Sequence, residues 1–307
     1  MDIRCDNRGM LSVRSGCLLM AGLSMARGSS FLMSKSLLDG MGPLNLLGLR
    51  FLLAFAVLFL LFLKRTCRDV QRDPGVLAGS FVLGGVYFLC MAAELIGLQY
   101  TTSSTCSFLE NSAIVIVPVI EAILLRRRPA PVIVISTLIT FLGIGFIVLR
   151  SGGVVGVGLG EILCMAAALL YAVAIILTDR LSKKHDPMTL GILYVGIMGS
   201  MGIVASLCTE SPHLPHSGSQ WVLLLGLALL CTAFGFTMQP VAQKPISSET
   251  AGIIGALNPL TTAILGWLLL GEMLGASGIL GAVLIISGIL LPNLRVRSKS
   301  VCGNDAQ

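Results

Sequence analysis

Apolar segments long enough to cross a bilayer recur along the whole chain and constrain its fold more than any other feature. A bilayer core of about 30 Å requires roughly 20 apolar residues in a helix. With a mean hydropathy of +0.92 and 12% charged residues, the chain of 307 residues is too apolar for a soluble protein. We therefore predict an all-α membrane protein with ten transmembrane helices. The predicted spans are residues 15–37, 44–63, 75–97, 102–125, 131–149, 159–180, 188–208, 220–243, 249–270 and 274–294.

The two halves of the chain resemble each other, which predicts a duplication. A shift of 144 residues aligns Pro43 with Pro187, and a shift of 145 aligns Thr105 with Thr250. Five spans per copy is an odd number, so the second copy enters the membrane from the opposite face and the two five-helix repeats are inverted. The predicted division is a cytoplasmic N-terminal segment 1–14, a first repeat 15–150, a second repeat 159–294 and a cytoplasmic tail 295–307.

Basic residues lie mostly on one side of the predicted membrane. With the N-terminus in the cytoplasm, 17 of the 21 Lys and Arg residues fall in cytoplasmic segments. This is the positive-inside pattern, so the net charge of +6 reflects topology rather than nucleic-acid binding. We expect a multi-pass protein of the cell membrane with both termini cytoplasmic. Its expected partners are the lipid bilayer and a small-molecule solute; a homodimer is left open.

The last hairpin, Glu249 to Leu291, combines a helix break with small residues. Pro259 lacks an N–H and frees the carbonyl four residues back, which then needs a partner in protein or in a water-filled cavity. Gly281 and Gly288 are seven residues apart on one helix face. Small residues so placed allow helix backbones to approach closely within a membrane.

Several motifs resemble those of an EamA domain, which belongs to the drug/metabolite transporter superfamily. Gly271–Glu272 follows the proline of the last hairpin as in the end of that domain, and Gly28–Phe31 followed by Lys35 is similar to its first-helix motif. Arg50–Phe51 matches the second-helix pair, and Leu98–Thr102 resembles the start of the fourth helix. The resemblance covers nearly the whole chain and implies a transporter of small metabolites, exporting rather than importing.

Three positions depart from the pattern of that family. Arg27 stands where a tryptophan is usual, and Ile114 occupies the place of a mid-span proline, with Pro118 one turn later. Arg127 takes the place of the glutamate that Glu272 supplies in the second copy. We therefore expect the first half of the site to be shaped differently from that of a typical member.

Intramembrane charges are the first candidates for a binding site, because a charge at bilayer depth costs at least about 2–3 kcal/mol unless it is paired or hydrated. Glu110 lies near the middle of the fourth span, with the amide of Asn111 beside it, and Arg27 lies mid-span in the first helix. Arg27 would hold a substrate carboxylate or phosphate by bidentate hydrogen bonds, or it is a buried partner for Glu110 or Glu94. The alternative for Glu110 is an ion pair with Arg27 or Arg50 that locks helices together.

Other candidates are less buried in the predicted spans or carry no charge. Glu94 shares a face of the third span with Tyr87, and its alternative is an interfacial glutamate hydrated near the headgroups. Gln239 lies on a polar stripe of the eighth span that we expect to face Asn258. Neutral amides of this kind suit hydrogen bonding to a small polar solute, or they hold helices together.

The motifs of ATP-driven and hydrolytic proteins are missing from the sequence. It contains no Walker loop, HExxH or GxSxG motif, so we predict no cofactor and no enzymatic activity. His213 and His216 lack a third ligand nearby, so we predict no metal site.

The function we predict is secondary transport of small polar metabolites, such as amino acids, by alternating access. The binding residues would be Glu110, Asn111, Arg27, Tyr87, Glu94, Gln239 and Asn258. Protonation of Glu110 or Glu94 would couple transport to a proton gradient, which is a hypothesis based on their depth. The alternative is a membrane-embedded enzyme that acts on a lipid or isoprenoid, with Glu110 and Arg27 as catalytic groups.

Overall fold

The computed structural model shows an all-helical protein in the residues that it describes. These are residues 12–124, 131–148, 158–246, 251, 254–255, 257–271 and 275–301. The helices are α1 (Val13–Leu38), α2 (Pro43–Arg72), α3 (Gly75–Tyr100), α4 (Ser103–Asn111), α5 (Ala113–Leu124), α6 (Pro131–Val148), α7 (Leu159–Lys184), α8 (Pro187–Thr209), α9 (Gly218–Gly226), α10 (Gly235–Gln243), α11 (Leu257–Leu270) and α12 (Ala276–Val301). No strand occurs within these ranges.

Within the described residues, six helical segments are long and apolar enough to span a membrane. They are α1, α2, α3, α7, α8 and the continuous stretch Gly218–Gln243, which contains α9 and α10. Shorter apolar helical segments occur at Val134–Gly143, Leu257–Leu270 and Ala276–Gly288. The predicted multi-pass helical membrane protein is therefore confirmed at this level of detail.

The fourth predicted span, 102–125, is divided into α4 and α5 at Ser112. The Ser112 hydroxyl donates to the carbonyl of Leu109 at 2.6 Å, and its backbone N–H bonds to the same carbonyl. A serine side chain that bonds to a nearby backbone carbonyl competes with the helical pattern. The division therefore falls directly after Glu110 and Asn111, two of the predicted site residues.

The stretch Gly218–Gln243 also departs from a regular α-helix, because Leu227–Phe234 forms a π-helix between α9 and α10. Pro240 lies inside α10 and frees the carbonyl of Phe236, four residues back. The hydroxyl of Tyr194 on α8 donates to that carbonyl at 2.5 Å. The unpaired backbone group thus has a partner from a neighbouring helix, as a membrane interior requires.

Helices α2 and α8 pack closely and antiparallel along their length. Glycines bring the two backbones together: a Cβ atom placed on Gly202 would lie 2.8 Å from the Cα atom of Gly48. A Cβ atom on Gly199 would lie 2.7 Å from the backbone nitrogen of Leu52. This pair links the first half of the chain to the second.

The close packing predicted for Gly281 and Gly288 is confirmed against α6. A Cβ atom on Gly143 would lie 2.7 Å from the carbonyl oxygen of Gly281, and one on Gly288 would lie 2.9 Å from that of Ser136. The Ser136 hydroxyl also donates to the Gly288 carbonyl. Larger residues at these positions would force α6 and α12 apart.

Candidate functional site

The structure brings together the three charged residues predicted for the site. Nη2 of Arg27 on α1 lies 2.5 Å from Oε1 of Glu110 on α4 and 3.7 Å from Oε2 of Glu94 on α3. The side chain of Arg27 is 11% exposed, and those of Glu94 and Glu110 are 3% and 1% exposed. Since both carboxylates are buried beside one guanidinium, this cluster carries a net charge of −1 when all three groups are ionised.

Aromatic rings enclose the guanidinium of Arg27. Its Cζ lies 4.2 Å from the ring centroid of Tyr171 on α7 and 5.3 Å from that of Phe236 on α10. A cation close to a ring face is attracted to it, more strongly where water is excluded. Tyr171 and Phe236 were not among the predicted site residues, since aromatic residues in spans are usually packing residues and nothing in their spacing sets these two apart.

Tyr87 lies in the aromatic cluster beside the charges rather than against them. Its ring stacks on Tyr194 with centroids 5.3 Å apart, and it meets Phe236 edge-on at 5.7 Å. Its hydroxyl lies 3.5 Å from that of Thr178. Tyr87 is fully buried. It therefore adjoins the predicted site through its contacts with the other aromatic rings rather than through a contact with the charged groups.

The side chain of Asn111 is hydrogen-bonded to a backbone carbonyl. Its Nδ2 donates to the carbonyl of Gly255 at 2.8 Å, which is the carbonyl that Pro259 frees four residues later. The prediction that this carbonyl needs a protein partner is therefore confirmed, and Asn111 supplies it. The rest of the break predicted around Pro259 lies partly outside the described residues.

Gln239 and Asn258 are both buried, with side-chain atoms that lack a partner: Nε2 of Gln239 and Oδ1 of Asn258. Gln239 lines a cavity of about 20 Å³ next to Arg27, which has room for about one water molecule. Asn258 instead lies against Gly28, where a Cβ atom would be 2.6 Å from the Asn258 carbonyl oxygen. Gln239 and the backbone of Asn258 thus approach two consecutive residues of α1, Arg27 and Gly28.

A second buried arginine was not among the predicted site residues. Arg50 on α2 is 1% exposed, and its Nε donates to the Thr232 hydroxyl at 3.0 Å. Its Nη1 lies 3.4 Å from the Ser34 hydroxyl, and its Nη2 has no hydrogen-bond partner in the part of the chain that the structure describes. The sequence signal was present, since a charged residue within an apolar span is a default site candidate.

Many buried polar atoms around these arginines lack hydrogen-bond partners. Buried polar atoms in folded proteins are usually satisfied, so a group of unsatisfied atoms points to water or to a bound solute. The unsatisfied atoms in this region are Nε and Nη1 of Arg27, Nη2 of Arg50, Oε2 of Glu94, Oε2 of Glu110, Oγ1 of Thr237, Nε2 of Gln239 and Oδ1 of Asn258.

Two larger cavities lie away from the buried cluster of Arg27, Glu94 and Glu110. One of about 610 Å³ opens between α5, α6 and α7 and has a mostly apolar lining that includes Val115, Phe141 and Met165. The other, of about 620 Å³, lies at one end of α2 beside Arg65 and Asp186. The buried charges, rather than the volume of a cavity, therefore locate the candidate site.

The start of α2 meets the end of α8 in what we call the Glu210 end. The Glu210 carboxylate accepts the backbone N–H groups of Leu44 at 3.0 Å and Asn45 at 2.8 Å. Nε2 of His213 lies 2.9 Å from the Gly40 carbonyl, and its Nδ1 lies 3.1 Å from the carbonyl of Ser211, two residues earlier in the same loop. These hydrogen bonds raise the pKa of His213, because only the protonated ring donates to both carbonyls.

The opposite ends of the same two helices meet in what we call the His185 end. The Thr189 hydroxyl donates to Oδ2 of Asp69 at 2.9 Å, and Nδ1 of His185 lies 2.5 Å from Oδ2 of Asp73. The hydrogen bond with His185 lowers the pKa of Asp73. Each end therefore joins a loop of the first half to a loop of the second.

Comparison with known proteins gives this arrangement a context. The family model described as "EamA-like transporter family" matches residues 14–149 and 158–294. The threonine/homoserine exporter RhtA of Escherichia coli K12 is 26% identical over 92% of both chains, and that of Salmonella typhimurium LT2 is 27% identical over 91% of both. An uncharacterized transporter of Archaeoglobus fulgidus is 25% identical over 76% of this chain and 82% of its own. One crystal structure superposes with a TM-score of 0.69 at 16% identity, covering 92% of this chain and 98% of its own, which shows a shared fold.

Proposed function

Because the chain belongs to the EamA-like transporter family, we propose that it is a secondary transporter that exports small polar metabolites such as amino acids. The observation that carries this proposal is the buried cluster of Arg27, Glu94 and Glu110, with unsatisfied polar atoms around it. Helices from both matched regions enclose it: α1, α3 and α4 from the first, and α7 and α10 from the second. Secondary transporters place their substrate site near the bilayer midplane at such an interface.

The related exporters support amino acids as the first solutes to test. RhtA proteins, which resemble this chain over nine-tenths of its length, are named as threonine/homoserine exporters. An amino acid carries both an ammonium and a carboxylate group, and the charges of the site include both signs. The predicted contacts of the solute are Glu110, Asn111, Arg27, Tyr87, Glu94, Gln239 and Asn258, of which Asn111 already donates to the Gly255 carbonyl.

An inverted repeat of two five-helix units is supported by the two ends of α2 and α8. At the Glu210 end, the late part of α8 contacts Asn45 near the start of α2. At the His185 end, the late part of α2 contacts Thr189 near the start of α8. Asn45 and Thr189 are 144 residues apart, the same shift that aligns Pro43 with Pro187. Under the two-fold relation of an inverted repeat, Asn45 and Thr189 would exchange places, and their partners Glu210 and Asp69, 141 residues apart, lie about one helical turn from the same shift.

Alternating access would then open one end while the other stays closed. In the orientation predicted from the basic residues, the Glu210 end faces the outside of the cell and the His185 end faces the cytoplasm. The small cavity beside Arg27 is lined by Met20 and Gln239, on the side of the predicted cytoplasmic ends of α1 and α10. Solute would therefore enter from the cytoplasm and leave when the Glu210 end opens.

The coupling ion proposed for this site is the proton. Glu94 and Glu110 lie beside one guanidinium, and each keeps one carboxylate oxygen without a hydrogen bond. Proton uptake by one of them would change the net charge of the cluster from −1 to zero and so its affinity for a cationic group. Transport by Glu110→Gln and Glu94→Gln variants that kept the full pH dependence of the natural protein would contradict this coupling.

Solute flux in proteoliposomes tests the proposed function. We expect saturable uptake of a labelled amino acid, faster with an imposed proton gradient, and loss of that uptake in Glu110→Gln. Lys183→Gln serves as the control, since its side chain is 52% exposed and, among the described residues, forms an ion pair with Asp179 one turn earlier in α7. Failure of a broad panel of amino acids and other small metabolites to move, with the protein folded and present in both orientations, would contradict the proposal. Chemical turnover of a lipid by the same preparation would instead support the membrane-enzyme alternative.

A further inference from the structure

We infer that Arg50 is the binding site for a carboxylate group of the transported solute, an inference that rests on the proposed transport function. Arg50 lies on α2, is 1% exposed and faces Ser34 of α1 and Thr232 of the π-helix. No described residue provides a hydrogen-bond partner for its Nη2. The guanidinium therefore retains a free donor on the fork that recognises planar oxyanions.

The charge of Arg50 has no direct counter-charge. Among the described residues, no carboxylate oxygen lies within the 4.0 Å of an ion pair, and the two side-chain partners of Arg50 are neutral hydroxyls. Glu94 attracts Arg50 from a greater distance, but Glu94 is shared with Arg27. A buried charge without a close partner is costly, and an incoming carboxylate would remove that cost.

The other buried arginine is a poorer site for an anion. A carboxylate that approached Arg27 would meet Glu110 and Glu94 at the same guanidinium, and the three groups together carry a net charge of −1 when ionised. That cluster attracts a cationic group. The two arginines thus divide the site into a pole for ammonium and a pole for carboxylate.

The two poles lie along one face of α1. Arg27 and Ser34 are seven residues apart, which is two turns or roughly 10 Å along the helix axis. Two rings lie between the arginines: Phe236 is 5.3 Å from the Cζ of Arg27 and 5.1 Å from Phe51, whose ring is 4.9 Å from the Cζ of Arg50. An α-amino acid, whose two charged groups share one carbon, is too short to contact both poles at once; it would bind with its carboxylate on Arg50, its ammonium turned towards the Glu94 and Glu110 carboxylates and its apolar atoms against these rings.

The π-helix fixes the hydroxyl that faces Arg50. Thr232 accepts from Nε of Arg50 and donates its own proton to the carbonyl of Leu227, five residues back, at 3.0 Å. The hydroxyl proton of Thr232 is thus already used in a hydrogen bond, and the hydroxyl oxygen remains an acceptor. Cys231, the preceding residue, lines the small cavity beside Arg27. π-Helical turns frequently occur at functional sites, where they place side chains that a regular helix would rotate away.

Carboxylate binding can be measured without transport. The thermal stability of the full-length protein in detergent would be recorded with sodium acetate, sodium chloride and acetamide as probes at matched concentrations. We expect acetate to stabilise the natural protein more than chloride or acetamide, with an apparent affinity that falls at least about tenfold in Arg50→Gln. Lys183→Gln is the control and should keep the preference for acetate, because its side chain is 52% exposed and lies outside the site.

Two results would overturn the assignment: acetate that stabilises no more than chloride, or the same acetate affinity in Arg50→Gln as in the natural protein. If Arg50→Gln does not fold, Arg50→Lys carries the same test, since lysine keeps the charge but loses the planar fork. Acetate binding that depends on Arg50 in a protein without amino-acid flux would contradict the transport function alone. Amino-acid flux without such binding would contradict the Arg50 site alone.

Discussion

The Glu210 end and the His185 end join the same two helices but use different chemical groups. At the Glu210 end, a carboxylate and an imidazole bind the backbone: Glu210 accepts two N–H groups at the start of α2, and His213 faces two carbonyls. At the His185 end, the contacts join side chains, Thr189 to Asp69 and His185 to Asp73.

This difference indicates which end opens more readily. Backbone N–H groups at a helix start have no partner within the helix, so opening the Glu210 end leaves them to water and removes a negative charge from the positive end of the helix dipole. Each pair at the His185 end has one half-exposed member: the side chains of Arg65 and Asp73 are 52% and 48% exposed, so solvent already screens their charges. We therefore expect the His185 end to open first and the Glu210 end to require bound solute.

The largest predicted effect comes from Glu210→Ala. It removes the acceptor for the N–H groups of Leu44 and Asn45, so we expect a loss of about 1–2 kcal/mol of stability. The measurement is the free energy of unfolding, together with thiol labelling of a cysteine placed at exposed Asp39. Labelling should become faster at this end only. Glu210→Gln, which keeps one acceptor oxygen, should lose less, and equal stability of Glu210→Ala and the natural protein would remove the proposed difference between the ends.

Asp69→Ala is the matching change at the His185 end. It leaves the buried Thr189 hydroxyl without its acceptor, at a cost of about 1 kcal/mol. Labelling of a cysteine at exposed Lys184 should increase while labelling at Asp39 does not. Asp69→Asn retains an acceptor oxygen and is the control. A loss larger than that of Glu210→Ala would reverse the order of the two ends.

A change of pH should act on the two ends in opposite directions. The contribution of His213 is present below its usual pKa and is lost as the pH rises through its raised pKa. That of Asp73 is present above its usual pKa and is lost as the pH falls through its lowered pKa. Alkaline pH should therefore loosen the Glu210 end, and strongly acidic pH the His185 end.

Spin-label mobility at each end measures this response, with His213→Gln as the control that should abolish the alkaline change. Two other ionisable groups face His213: Glu210, and His216, whose ring stacks at 5.0 Å. An alkaline change that persists in His213→Gln would assign the response to one of them and contradict the prediction.

The smallest predicted effect is that of Arg65→Gln. Arg65 lies 3.2 Å from Asp186 and 3.6 Å from Asp69, but its side chain is 52% exposed. Exposed pairs contribute little, so the free energy of unfolding should change by less than about 0.5 kcal/mol. A larger loss, reduced by added salt, would show that the His185 end depends on this pair more than its exposure suggests.

The sequence was most informative where the chemistry of a single residue type, proline or glycine, determines what the backbone around it requires. Pro259 frees the carbonyl of Gly255, and the structure pairs that carbonyl with Asn111. Gly281 and Gly288 predicted close packing, and α6 lies against both. Each of these predictions depends on a single physical requirement, a satisfied carbonyl or a missing Cβ atom, so neighbouring helices did not need to be known.

Features that depend on several helices at once were not predictable. The π-helix at Leu227–Phe234 follows no sequence signal that we recognised, and the division at Ser112 depends on the rotamer of one hydroxyl. Arg27 was predicted with both roles open, and only the fold shows that Glu110 and Glu94 meet it. Arg50 was noted as part of a motif, but its lack of a counter-charge is a property of the packed helices.

The most direct test of alternating access is a pair of distance measurements in one preparation. Spin labels would replace Asp39 and Pro212 across the Glu210 end and, in a second variant, Gln71 and Lys184 across the His185 end, with the exposed native cysteines Cys67 and Cys208 changed to serine. On addition of a transported amino acid, we predict that the population of long distances rises at one end and falls at the other. Distances that lengthen together at both ends, or that stay fixed while flux proceeds, would contradict the account.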